Sequence, residues 1–336
     1  MVVRIVLSFV LLFLVISSFS IDLSKEKPKY LDSTEYHSFY KMLDGYIPDT
    51  WDNPYTGETL DPIFLEQWIL WMMEEEMIPG ISLCFLKDGD LYWKRHLGMA
   101  DLKQNIPVSD ETGFITGSVS KTIVVTAAMQ LYERGLFNLD DDINFYLPFS
   151  VYNPDYPNEA ITFRHLMTHV SSIQDNFLIL ENLLTYGWDS PVELGYFLEE
   201  YLKQEGEYYT NTNYATYPPQ EEFNYSNVGV SLLAYLVEEI SNTNFEDYCQ
   251  DNIFLPLGME DVSFFLANTD TSNLAVPYKP IGDTIEAIPQ LGFPYYPAGS
   301  FKTSAVELSK FLAMYMNNGT YNQAIILEEA TIDSIT

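Results

Sequence analysis

The stretch from Ile81 to Leu97 constrains the fold of this chain more than any other. Two apolar, strand-like runs, Ile81 to Lys87 and Leu91 to Leu97, are joined through Asp88-Gly89. Asp-Gly between such runs is a hairpin signal, because a two-residue turn that follows the strand twist needs positive φ at both central positions. An antiparallel strand pair is therefore expected here. Just before it, Pro62 to Met77 carries apolar residues at helical spacing (Phe64, Trp68, Leu70, Trp71) and ends at Pro79-Gly80, which predicts a helix.

Beyond the hairpin the pattern turns helical. A polar turn, Ser109 to Gly113, gives way to the apolar segment Thr122 to Arg134, which predicts a helix that stops at Gly135. Ile161 to His169 starts a short helix. Ser190-Pro191 reads as an N-cap with proline at the first helical position, opening a helix to about Leu202. Glu207 to Pro219 is an aromatic, Asn/Thr-rich loop, Val228 to Ile240 is an apolar helix, Phe245 to Phe254 continues in kind, and Ser304 to Asn317 is the last clear helix. No internal repeat or low-complexity linker interrupts this run, so residues 61–336 are expected to form one folded unit. Residues 21–60 are a polar, aromatic extension with no assigned role. Residues 1–20 read as a signal peptide: Arg4, then the apolar run Ile5 to Ile16, then small residues in Ser18-Phe19-Ser20. That run is shorter than the ~18–20 residues a spanning helix needs, so no stable membrane span is expected after cleavage, and the protein is expected outside the cytoplasm. An uncleaved anchor is the alternative.

The formal net charge is -32. It argues against nucleic acid and anionic membrane surfaces as partners, because their phosphates would repel the chain. The two cysteines, Cys84 and Cys249, are too few and too far apart for a disulfide scaffold. Cys84 is read as a buried free thiol, with a Cys84–Cys249 bridge left open.

Gly117-Ser118-Val119-Ser120-Lys121 sits at the start of the helix that ends at Gly135. Ser118 and Lys121, three apart, share a helix face, and a hydroxyl beside an amine there can form a nucleophile–base pair. Ser-x-x-Lys also occurs at Ser24/Lys27 and Ser38/Lys41, both in polar stretches before the folded unit. At Lys121, burial in a Thr/Val/Ala-rich helix would lower the amine's pKa toward a value usable for proton abstraction. Tyr225-Ser226-Asn227 is a second polar cluster, just before an apolar helix. A tyrosine near a lysine can hold a depressed pKa and shuttle a proton. His165 and His169 are spaced i,i+4, but no glutamate stands between them and no third ligand is evident, so hydrogen-bonded structural histidines are expected rather than a metal site. Asp140-Asp141-Asp142 fails as a calcium loop, since Phe145 stands where that loop needs glycine. Tyr208, Tyr209, Tyr214 and Tyr217 are read as a surface insertion, with a stacking wall for substrate as the alternative. No cofactor is implied.

Several segments, in this order, carry a resemblance: Ile78-Pro79-Gly80, Lys87-Asp88-Gly89, Ile115 to Thr122, and Leu139-Asp140-Asp141 with Tyr146-Leu147-Pro148. It continues in Ile161 to His169, Phe223-Asn224-Tyr225-Ser226-Asn227, Phe254 to Met259 and Pro297-Ala298-Gly299-Ser300. Together they resemble the serine β-lactamase and penicillin-binding-protein-like family, in its class C, D-amino-acid peptidase and esterase branch. The resemblance implies an α/β fold of the α+β type, an antiparallel sheet flanked by helices with a mainly helical second lobe inserted after the Ser118 helix. It makes Ser118 the acylated nucleophile, Lys121 its base partner, Tyr225 a proton-transfer group and Asn227 a contact to the substrate's amide. The implied partner is a small-molecule or peptide substrate, with the oligomeric state open. The family's third motif, Lys- or His-x-Gly on a strand lining the cleft, has no counterpart: no histidine follows Asn227, and Lys279, Lys302 and Lys310 are not followed by x-Gly. About three strands and a helix of the family fold are therefore expected to be missing after Thr336, leaving an unpaired edge and an uncovered apolar face on the Ile81–Leu97 hairpin. A secreted serine hydrolase is the first expectation, and a non-catalytic binding or interaction homologue the second.

Overall fold

The structure, a computed structural model, describes residues 51–52, 59–60 and 62–335. The expected signal peptide and most of the extension lie outside the described residues. The hairpin forms where Asp88-Gly89 predicts it. Strands β1 (Gly80–Lys87) and β2 (Asp90–Asp101) pair antiparallel from Gly80↔Gly98 to Lys87↔Asp90. Asp88 and Gly89 have φ of 55° and 85°, the left-handed values that a type I′ turn requires. A short strand β3 (Ile106–Pro107) pairs with β2, giving the order β1-β2-β3. Among the described residues no strand pairs with the other edge of β1.

The apolar face of the hairpin is not left bare. Helix α1 (Pro62–Glu75) lays Ile69, Met72 and Met73 against Ile81 and Leu97. Arg95 on β2 holds Glu66 on α1 through two hydrogen bonds of 3.2 and 2.8 Å. At Gly98 the chain comes so close that a Cβ would sit 2.2 Å from the Pro79 carbonyl oxygen, and φ is +73°, so only glycine fits. Cys84, one residue on from Leu83, points to the opposite face by the two-residue period of a strand. It is half-buried and free, as is the buried Cys249, and no bridge joins them. Burial pushes the Cys84 thiol up to about 12, with Lys94 opposing, and holds Cys249 well above its usual range. Because the thiolate is the reactive form, the folded protein is expected to resist iodoacetamide at pH 7.5, with both thiols alkylated once guanidinium unfolds it. Rapid stoichiometric labelling of the folded protein would contradict this.

The main core lies in the helical lobe. Helix α2 (Ser120–Glu133) is buried nearly all round, from Ile123 and Val124 to Met129 and Leu131, the pattern of a core helix rather than a surface one. It packs against α5 (Asn227–Ser241), whose Val228, Leu232, Leu233 and Leu236 are fully buried. Each such side chain contributes about 1.5–3 kcal/mol by leaving water. Helix α3 (Phe163–Met167) starts at Thr162, whose hydroxyl accepts from the His165 N–H while His165 Nδ1 accepts from the Thr162 N–H. His165 is thus a capping residue. Asp140, in the failed calcium pattern, pairs with Arg164 at 2.7 and 2.9 Å, and Asp141 accepts from Tyr146 and from the Asn138 N–H.

Three expectations need correction. Helix α4 runs Leu194–Leu202 with Glu193 at its N-cap, so Ser190 does not cap it. Instead the Ser190 hydroxyl accepts from the Val192 N–H at 3.1 Å, a local bond that competes with helix formation. Tyr214, read with Tyr208, Tyr209 and Tyr217 as part of a surface insertion, belongs instead to the core. Tyr214 is 3% exposed and donates to the Leu202 carbonyl, while Tyr208 packs on Phe197 and Tyr196. The region read as helices and loops also contains a hairpin, Tyr278–Ile281 with Thr284–Ala287, turned by Gly282-Asp283. No helix among the described residues is long and apolar enough to cross a membrane.

Two short strands hold the chain just before the Ser118 turn. Strand β4 (Phe114–Ile115) pairs antiparallel with β5 (Lys302–Thr303), just before helix α6 (Ala305–Met316). The Thr116 N–H and hydroxyl both donate to the Phe301 carbonyl, at 2.8 and 3.1 Å. This bridge fixes the chain that leads directly into Ser118.

Candidate active site

Residues Gly117–Val119 form a single 3-10 turn that runs into α2. Gly117 has φ +55° with open space where a Cβ would stand, so its glycine serves the backbone turn and not a close approach. The Ser120 hydroxyl locks the turn by donating to the Gly117 carbonyl at 2.6 Å and accepting from the Phe301 N–H at 3.2 Å. Ser118 is thereby exposed at the head of α2, while Lys121, one turn on, is 7% exposed.

The side chains expected from the spacing do meet. Lys121 Nζ lies 3.0 Å from Ser118 Oγ and donates to the Ala298 carbonyl at 2.6 Å. Tyr225, 107 positions further on, brings its hydroxyl to 2.8 Å from the same Ser118 Oγ. Its ring lies 4.9 Å from Lys121 Nζ, a cation–π distance when the amine is charged. Burial lowers the Lys121 pKa to about 8, with the nearby Asp175 carboxylate opposing the shift. A neutral amine that donates one N–H to Ala298 keeps its lone pair free to accept the Ser118 hydroxyl proton.

The tyrosine departs from expectation. Its pKa is raised, not depressed: burial dominates, the hydrogen bond to Ser118 works against it, and Asp175 adds to it. Near neutral pH Tyr225 is therefore a phenol, able to donate a proton rather than to take one.

Asn227 stands first in α5, and its side-chain N–H donates to Asp175 at 2.7 Å; none of its hydrogen bonds reaches Ser118, Lys121 or Tyr225. Asp175 also accepts from the Asn227 N–H, the Val228 N–H and the Ser226 hydroxyl, at 2.9, 3.1 and 3.0 Å. His169, expected to be a hydrogen-bonded structural histidine, lies against the Ser226–Tyr225 segment. With φ +57°, it accepts the Ser226 N–H on Nδ1 at 3.2 Å, and its ring lies 4.5 Å from that of Tyr225. Burial and the Lys121 charge keep this imidazole below its usual pKa, so it stays neutral and able to accept. Sequence reasoning missed Asp175 altogether, because nothing in its neighbours marks it and its partners lie about fifty positions away. A cavity of about 690 Å³, lined by Glu193, Tyr235, Glu238, Phe265 and Tyr296 among others, borders the 292–300 segment; neither Ser118, Lys121, Tyr225 nor Asn227 lines it.

With this geometry in place, comparison with known proteins gives a consistent result. The family profile described as Beta-lactamase matches residues 65–334. PbpX of Bacillus subtilis, whose name assigns it provisionally to the penicillin-binding proteins, is 29% identical over 242 residues, 71% of this chain and 55% of that protein. The chain spans about half the length of the curated relatives it matches. Among solved structures, the octameric penicillin-binding protein homologue from Pyrococcus abyssi is 26% identical with a TM-score of 0.65, over 82% of this chain and 59% of that one. The D-alanine carboxypeptidase AmpC from Burkholderia cenocepacia shares the fold at 22% identity and a TM-score of 0.59, over 80% and 67%.

Proposed function

The chain belongs to the beta-lactamase family of serine hydrolases, and from that premise we propose that it cleaves amide or ester bonds through an acyl-enzyme on Ser118. The observation that carries this reading is the meeting of two groups on one oxygen: Lys121 Nζ at 3.0 Å and Tyr225 OH at 2.8 Å from Ser118 Oγ. As Ser118 Oγ bonds to the carbonyl carbon, its proton passes to neutral Lys121, and the carbonyl electron pair moves onto oxygen. Backbone N–H groups at the head of α2 favour that developing charge. Tyr225 gives its proton to the departing nitrogen or oxygen and is reprotonated from Lys121, as the carbon–leaving-group bond breaks. Water then opens the acyl ester and restores Ser118. In this reading Asn227 orients the substrate's amide, residues 61–336 act as one domain, and the signal-like residues 1–20 direct it out of the cytoplasm. The substrate is an amide or ester small enough to reach an exposed serine beside a buried amine.

A fluorophosphonate probe should label Ser118, and Ser118→Ala should remove all labelling while leaving the melting temperature within a few degrees. A well-folded wild-type protein that takes up no probe, and no penicillin, would sink the hydrolase reading in favour of a non-catalytic homologue.

A further inference from the structure

Asp175 lies in the segment between α3 and α4 and takes four hydrogen bonds, all from Ser226, Asn227 and Val228. A carboxylate only accepts, so the 2.7 Å contact to Asn227 identifies the facing atom as the amide nitrogen and turns Asn227 Oδ1 away from Asp175. The same carboxylate closes the head of α5 immediately after Tyr225. We propose that Asp175 is the positioning residue of this site: it sets the way Asn227 presents its amide, fixes the Tyr225–Val228 turn, and supplies the negative charge facing Lys121.

The inference rests on the hydrolase reading for its kinetic consequence, but not for its electrostatic one. Facing Lys121 are Ser118 on the preceding turn, Tyr225 and His169 from the helical lobe, the Ala298 carbonyl and Asp175. Among the described residues Asp175 is the carboxylate whose charge is felt there, and it favours the ammonium against the effect of burial. It also raises Tyr225 and His169, so one carboxylate biases both titratable partners of the serine, and the imidazole beside Tyr225, in the protonated direction.

Two variants separate charge from geometry. Asp175→Asn removes the charge; Asp175→Glu keeps it but moves it by one methylene. Both are expected to slow fluorophosphonate labelling of Ser118 by about 10²-fold, the cost typical of a misplacement near 1 Å. In Asp175→Asn alone, the Lys121 amine, followed by 15N NMR in lysine-labelled protein, should titrate at lower pH. The acid limb of its labelling-rate profile should shift the same way. A merely structural role would lower the melting temperature without moving that titration. Labelling of Asp175→Asn within twofold of wild type, with Lys121 unmoved, would overturn the proposal. Should Asp175→Asn fail to fold, Asp175→Glu decides: slow labelling with an unmoved Lys121 upholds the role, and wild-type labelling overturns it. If wild-type Ser118 takes no probe, the hydrolase reading has failed, and the Lys121 titration alone decides for or against Asp175.

Discussion

Lys121→Met is expected to slow acylation of Ser118 by roughly 10²–10⁴-fold, the usual contribution of a positioned general base. Methionine nearly fills the lysine's volume but has no lone pair of comparable basicity, and it leaves the serine proton without a taker. In the proposed mechanism, the working form is the neutral amine. With a pKa of about 8, the labelling rate and kcat/KM should rise with pH through about 8 and level off above it. In Lys121→Met the limb should vanish, leaving a slow rate nearly independent of pH there. Stopped-flow labelling from pH 6 to 9.5 reads both. A limb retained in the methionine variant would show that another group is the base.

The same substitution has an opposite effect on stability. The unfolded lysine titrates at 10.5 and the folded one at about 8. Between these values the unfolded chain binds more protons, so this group's contribution to stability rises with pH across that window. Below about pH 8 both states carry the ammonium and the cost of burying it is present in full. Lys121→Met should therefore unfold at higher denaturant than wild type at pH 7, by on the order of 1–3 kcal/mol, with the gap closing toward pH 10. The partner carbonyl of Ala298, left unpaired, reduces the gain. A variant that is less active yet more stable is what a reactive site built on a buried amine predicts.

What the amino-acid order revealed was local. Asp88-Gly89 announced its hairpin because the turn chemistry is confined to two residues, and the strongly apolar segment after Asn227 announced α5 within a residue at each end. Ser118 and Lys121 were legible because three residues of helix bring them together. Gly282-Asp283 carries a comparable hairpin signal, but the flanking Tyr278–Ile281 and Thr284–Ala287 are only four residues each, mostly exposed, and include Lys279, Pro280 and Glu286, so they do not read as apolar strands. Ser190 was misread because a serine hydroxyl serves a turn as readily as a helix cap. The direction of the Tyr225 pKa was misjudged for a different reason. Proximity to a lysine was visible from the motif, but burial, which dominates, is a property of the packed lobe. Asp175 was invisible for the same reason at longer range: a lone aspartate in a polar segment becomes informative only once the Ser226–Val228 turn lies against it.

Phe301→Ala should be the most destabilising single change near the site. The side chain is fully buried, with its ring 4.9 Å from Phe254 and 5.1 Å from Phe264. Truncating such a phenylalanine costs about 3–5 kcal/mol, because the lost contacts leave a cavity that neighbours only partly fill. For a domain of this size that corresponds to a fall in melting temperature of roughly 6–20 °C. The backbone of the same residue holds the turn below Ser118, through the Thr116 N–H and hydroxyl on its carbonyl and the Ser120 hydroxyl on its N–H. Three residues before it, the Ala298 carbonyl holds Lys121. The ring thus anchors in the core the 298–301 segment that positions both nucleophile and base. Loss of the ring should slow Ser118 labelling even at temperatures where the variant is fully folded, whereas Phe301→Leu, which keeps most of the volume, should fall between the two in both measurements. A fall in melting temperature under about 3 °C, or wild-type labelling at 20 °C in a destabilised variant, would separate the aromatic core from the reactive turn. The pairing of β4 with β5 would then suffice to hold Ser118 without it.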